Sequence, residues 1–222
     1  GSKADCDNLI PLYNKDFDEK KSDVEWLRNA NQRLSAKDCT EDPLFFKVSE
    51  ALHQKEPSAN SAYSLGQLAE AEGDRQKALK YLNEAAELAT DKSRKARIYY
   101  RIANNYKAQG SYSQARSYYR RAVDNKPSLG IAYLKIAEMY AKSANDCGDS
   151  VFEKRAVYWL AADYATRAAR VDPSIKSNAN ATADSYKGRA PQKSDIFQED
   201  AAGKKISFSG CWIGESVVVP NL

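Results

Sequence analysis

One pattern is written twice between Ser58 and Pro127, and it constrains this 222-residue chain more than anything else in it. Ala62, Leu65, Ala69, Gly73, Ala78, Leu82 and Ala85 return, 37 positions on, as Tyr99, Ile102, Tyr106, Gly110, Ala115, Tyr119 and Ala122. A third copy of the first half follows at 34 positions, where Tyr133, Ile136, Ala137 and Tyr140 answer Tyr99, Ile102, Ala103 and Tyr106. Self-similarity of this length implies a helical solenoid, in which each helix pair hides its apolar face on its neighbours.

Within a copy the apolar residues fall at helical spacing, so two amphipathic helices meet at the glycine. The second copy predicts helices over 96–109 and 111–125. Gly110 suits the left-handed residue that ends the first, and Ser111 stands where it would cap the second. Gly73 and Asp74 take those parts in the first copy. Ala78, Ala85, Ala115 and Ala122 mark close helix approach, while Tyr99, Tyr106, Tyr118 and Tyr119 fill wider gaps. Pro127 ends a helix, with Ser128 placed to cap the next.

These residues resemble the tetratricopeptide repeat. Leu65-Gly66, Ala78, Tyr106, Ala115, Tyr119, Ala122, Pro127 and Pro173 fit that family's pattern. Ala69 and Thr90 depart from it, and two residues are added around 92–95. The resemblance covers about 58–173 and implies an all-α fold, a right-handed superhelix of antiparallel helix pairs. The repeats divide as 58–95, 96–129 and 130–173. The last is long by 12, because Pro127 and Pro173 lie 46 apart where 34 is expected, and the addition falls within 143–159. Trp159 is expected to pack on the added segment.

The flanks differ from the repeats. Residues 3–57 read as a divergent N-terminal helical unit, with an apolar patch at 6–13 and helices over 23–34 and 43–55, the second opened by Asp42-Pro43. Residues 174–190 suit a polar capping helix. After Pro191 the composition turns to glycine, aromatic and β-branched residues, which predicts short extended segments in a 191–222 extension packed back on the solenoid. The 145–174 stretch, the 209–219 tail and the Glu41–Phe45 helix start are similar to tetratricopeptide proteins common in Bacteroidetes. That likeness implies a cell-envelope location without naming an activity.

Four cysteines allow three pairings. Cys6 and Cys39 flank the first helices and Cys147 and Cys211 belong to the second half, which favours Cys6–Cys39 and Cys147–Cys211. Bridges imply an oxidising compartment such as a periplasm. Four buried free thiols, and with them a cytoplasmic protein, are the alternative. Gly1-Ser2 has the form of a scar from tag removal, so the start of the chain says nothing about a targeting signal or lipid anchor.

Little in the sequence points to chemistry. Net charge is +4, with cations and anions interleaved rather than gathered in the one-sided run a nucleic-acid protein shows. The Arg116, Arg120, Arg121 cluster reads as a solvated face. No apolar run reaches the roughly 20 residues of a membrane helix. The single histidine, His53, sits in a polar string and reads as a surface residue, which argues against metal binding or nucleophilic catalysis. Glu70/Glu72 and Glu84/Glu87 read as solvating pairs. No cofactor is expected, and the chain is not expected to be an enzyme.

The resemblance places the functional surface on the concave groove, at positions 2, 5, 9 and 12 of each repeat. These are Asn60, Tyr63, Gln67 and Glu70, then Arg97, Tyr100, Asn104 and Lys107, then Ile131, Leu134, Glu138 and Ala141. The middle set offers two cations, an amide and an aromatic ring, chemistry for an extended peptide. The family's clamp for a C-terminal carboxylate wants Lys and Asn where this chain has Tyr63 and Gln67. The expected function is a scaffold that binds a protein or peptide partner, in an envelope complex. The rival is an accessory protein binding carbohydrate or envelope polymer, hinted at by 14 tyrosines. The extension could instead fill the groove itself.

Overall fold

A computed structural model describes residues 2–221, with side chains from Asp5 onward; Gly1 of the tag-like pair and Leu222 fall outside it. The chain forms two compact units, 1–91 and 92–222.

The first unit holds α1 (Ser2–Lys20), α2 (Val24–Ala36), α3 (Pro43–Lys55), α4 (Ala59–Ala71) and α5 (Arg75–Leu88). The apolar patch at 6–13 is the interior of α1, a 19-residue helix that Pro11 disguises in the sequence. A proline ring removes one helical hydrogen bond, yet packing holds the helix through it. Tyr13, Leu27, Leu34, Leu44 and Val48 form the core beneath α1, α2 and α3, with Leu9, Phe17 and Trp26 against it. Asp23 caps α2 and Asp42 caps α3, accepting from Trp26 and Leu44 N–H at 3.1 and 2.8 Å.

Cys6 and Cys39 are joined, with S–S 2.09 Å, and tie α1 to the loop before α3. In the chain-entropy picture a bridge across 33 residues stabilises by about 4 kcal/mol. Cys6→Ser is therefore expected to lower the melting midpoint of the first unit alone, and hydrogen exchange should show α1 opening first.

His53 corrects the sequence reading. It is 4% exposed, with Nδ1 at 2.7 Å from Ser61 Oγ and Nε2 at 2.9 Å from Glu84 Oε1. The reason is that α3 is covered on two sides. Leu44 and Val48 face α1 and α2, while Phe46 and His53, seven residues apart and so on one stripe, face α4 and α5. Glu84 accordingly serves as a partner of His53 and not as a solvating group. Gly66 brings α4 and α5 together: a Cβ there would lie 2.8 Å from the Leu82 side chain.

The second unit holds α6 (Lys92–Ala108), α7 (Tyr112–Asn125), α8 (Gly130–Lys142), α9 (Val151–Val171), α10 (Lys176–Arg189) and α11 (Lys193–Gln198). A hairpin of β1 (Lys205–Ser207) and β2 (Ser216–Val218) follows. The strands are antiparallel, Ile206 opposite Val217. The residues added near 92–95 become an extra first turn of α6. The insertion becomes a 3-10 turn at Ala144–Asp146, a loop, and added turns at the start of α9, which begins with a Ser150/Glu153 capping box. Phe152 of that added stretch meets Trp159 with ring centroids 6.0 Å apart. Two expected caps are not made. Ser111 holds the cap position of α7 without a side-chain bond, and α8 starts at Gly130 with Leu129 before it.

Pairs α6–α7 and α8–α9, then α10, pack as antiparallel helices over one core. Tyr119, Ile136, Met139 and Tyr140 are fully buried there among alanines at 115, 137, 161, 165 and 168. Tyr106 stacks on Tyr118 with centroids 5.5 Å apart, so the tyrosines do fill the wider gaps. The fold is all-α and of the tetratricopeptide type, with a small hairpin at its C-terminal end.

Candidate partner-binding face

In the second unit, the first helix of each pair supplies the candidate residues. Arg97 is exposed on α6, one turn before Tyr100. Tyr100 is half-buried, its ring 5.6 Å from that of Tyr119. The Tyr119 hydroxyl donates to Asn104 Oδ1 at 2.6 Å. Burial, then the nearby Tyr100 and Glu138, pushes the Tyr119 hydroxyl far above its ordinary range, so it stays a donor. The Asn104 amide is thereby held by its oxygen, and among the described residues nothing accepts from its N–H groups.

Lys107 Nζ donates to Glu138 Oε2 on α8 at 2.8 Å, and Lys135 Nζ reaches the same carboxylate at 3.1 Å. Burial would raise the Glu138 carboxyl, but the hydrogen bonds from Lys107 and Lys135 outweigh it and hold the group below the usual carboxylate range. Burial, then the Glu138 charge, pushes the Tyr186 phenol of α10 upward. Lys107 and Lys135 thus set two cations on one carboxylate, and Arg97 adds an exposed cation further toward the start of α6.

Lys135 and Tyr186 were absent from the expected set. The signal for Lys135 was its position one turn before Glu138; Tyr186 lies in a stretch too polar to read. Leu134 is 6% exposed and belongs to the core, and Ile131 is half-buried. In the first unit, Asn60 and Gln67 are exposed on α4 and Tyr63 is half-buried.

The C-terminal segment sits elsewhere. Glu215 Oε1 accepts from the Tyr140 and Tyr164 hydroxyls at 2.5 and 3.1 Å, and from Arg120 Nη2 at 2.5 Å. Arg116 Nη1 lies 3.4 Å from the same oxygen and also donates to the Ile213 carbonyl, while Nη2 donates to the Trp212 carbonyl at 3.3 Å. The Trp212 indole N–H donates to buried Ser143 Oγ at 2.8 Å. Its ring lies 5.5 Å from Tyr112, 5.3 Å from Tyr140 and 5.2 Å from the Arg116 guanidinium. Cys211 is bonded to Cys147, Cα–Cα 5.5 Å. Arg116, its side chain 15% exposed, and Arg120 are therefore anchors of the tail rather than a solvated face, while Arg121 lies over Tyr118 at 4.9 Å. Sequence reasoning missed this because Glu215 is almost 100 residues from its arginines.

Among the described residues, no His, Cys, Asp or Glu cluster could hold a metal ion, and no helix is long and apolar enough to cross a membrane.

Residues 57–128 match the family model described as tetratricopeptide repeat. The chain is 31% identical over 114 residues to the photosystem I assembly protein Ycf3 of Cyanophora paradoxa, covering 48% of this chain and 66% of that protein. It is 32% identical over 124 residues to Ycf3 of Rippkaea orientalis, covering 54% and 71%. The match thus spans about two thirds of these curated relatives. Two crystal structures of MamA superpose with TM-scores of 0.53 and 0.54 at 23% and 22% identity. They cover 79% of this chain and 93% and 87% of theirs, a likeness of fold. The repeated helix pairs, the family match and these relatives together place the chain in the tetratricopeptide repeat family.

Proposed function

We propose that this protein is a non-catalytic scaffold that captures an extended segment of a partner protein on the α6–α8 face. The observation that supports this most is Asn104. Tyr119 holds its carbonyl oxygen, so its N–H groups are oriented and available for a partner's backbone carbonyl. Arg97 adds an exposed cation beside it, and the Lys107–Glu138–Lys135 group adds surplus positive charge, which favours a segment carrying acidic side chains. Tyr100 supplies contact area with little conformational freedom left to lose. The tail's hydrogen bonds run to α7, α9, Tyr140 and Ser143, away from Arg97, Asn104 and Lys107. Two disulfides favour an oxidising compartment, which supports placing the complex in a cell envelope.

A photocrosslinker at position 100 in the native host would identify the segment. Its synthetic peptide is then titrated against the purified protein. Arg97→Glu with Asn104→Asp, which removes the N–H donors but keeps an acceptor for the Tyr119 hydroxyl, is expected to weaken binding at least tenfold, about 1.4 kcal/mol, with the helical fold retained. Equal affinity of the variant would refute the reading.

A further inference from the structure

The C-terminal segment is seated as a peptide ligand is seated. Its side chains enter a surface made by three helices: Phe208, Ile213 and Val217 are buried, and Trp212 lies among Tyr112, Tyr140 and Arg116. One carboxylate, Glu215, collects donors from α7, α8 and α9. An isolated two-stranded hairpin is marginal in water, so β1 and β2 take their order from this seat. The helices around the seat pack chiefly on one another, α6 on α7 and α8 on α9, while Phe208, Ile213 and Val217 join the same apolar core from the tail.

We propose that residues 208–219 are a ligand held in cis, and that the α7–α8–α9 seat takes the same segment from a second copy of this chain once the Cys147–Cys211 latch is reduced. An empty seat would expose Arg116 and Arg120 without their anion, together with the rings of Tyr112 and Tyr140. That favours prompt refilling, and the occupant whose chemistry matches is an aromatic segment with a carboxylate three residues on, as in Trp212 to Glu215. The latch keeps the segment's effective concentration high enough to exclude competitors.

Opening needs a dithiol reductant. Its thiolate attacks Cys211 Sγ, the partly exposed sulfur, and Cys147 leaves as a thiolate and takes up a proton. The reductant's second thiol then displaces Cys211 as a thiol, and the reductant departs as a disulfide, two electrons having passed to the protein.

The test uses the full chain carrying Cys147→Ser, Cys211→Ser and Glu215→Ala, so that latch and cis carboxylate are both gone. It is titrated with a labelled peptide of residues 204–221 bearing Cys211→Ser, and with the same peptide also bearing Glu215→Ala. Saturable binding of the first, at least tenfold tighter than the second, is expected. No saturable binding, equal binding of the two, or loss of helical circular dichroism in the variant overturns the proposal, since the tail would then be core and not ligand. The unaltered protein gives a second readout. Reduction by dithiothreitol should speed hydrogen exchange of 205–219 at least tenfold while α7–α9 stay protected. Reoxidation at high concentration should then yield dimers linked from Cys147 of one copy to Cys211 of another. An exchange rate unmoved by reduction, or reoxidation to monomer alone, sinks it.

Discussion

Tyr140→Ala is expected to destabilise the 92–222 unit by about 3–5 kcal/mol, the range for truncating a buried aromatic side chain, read as a fall in its urea midpoint at unchanged slope. Tyr140 is fully buried, with ring contacts to Tyr164 at 5.1 Å and Trp212 at 5.3 Å. Its hydroxyl donates to Glu215 and accepts from Arg116 Nη1 at 3.0 Å. Burial, then the bond to Glu215, pushes its phenol far above the ordinary range, so it stays a donor across the working pH range. Alanine would leave a cavity beneath Trp212 and take a donor from a partly buried carboxylate. Tyr140→Phe separates the two effects. It keeps the ring and should lower stability by only about 1.5–3 kcal/mol, the value of a hydrogen bond to a charged group. An alanine variant no worse than phenylalanine would show that the ring contacts contribute little.

Gly130→Val is expected to lower the same unit's stability by about 3 kcal/mol, at the upper end of overpacking effects. A Cβ at Gly130 would stand 2.5 Å from Asp172 Cβ and 2.7 Å from the Ala168 carbonyl oxygen. The carbonyl is backbone of α9 and cannot rotate away, so α8 must move from α9 and the alanine seam at 161, 165 and 168 opens. Gly188→Val serves as the control, because nothing lies within 4 Å of a Cβ there and only the helix propensity of an exposed position changes. Similar losses in the two variants would mean that propensity, not close approach, governs position 130.

The repeats were legible because their information is local and written more than once. Alanines at 78, 85, 115 and 122, left-handed Gly73 and Gly110, and the periodic leucines and tyrosines each sit one or two helical turns from the residues they act with. Spacing of that kind survives in a linear string. The Asp42-Pro43 start of α3 was legible for the same reason. α1 was not, because Pro11 interrupts its periodicity and only its packing on α2 and α3, with the Cys6–Cys39 bridge, keeps it helical. His53 was misread because its polar neighbours describe one side of α3 while α4 and α5 cover the other.

On the α6–α8 face, Arg97, Tyr100, Asn104, Lys107 and Glu138 were named from repeat position alone. The Tyr119 bond to Asn104 and the Lys107 bond to Glu138 were not legible, since each joins helices whose distance is set by packing, whereas Lys135 one turn before Glu138 could have been read. The tail's seat is the extreme case. By itself the sequence determined a helical repeat protein, its helix ends and the residues that meet within a repeat, because those are fixed by 3.6-residue periodicity and local backbone preference. Only tertiary structure decided that Glu215 closes on Arg116, Arg120, Tyr140 and Tyr164, because a carboxylate 51 to 99 residues distant from its donors finds them through the shape of a folded surface and not through any spacing along the chain.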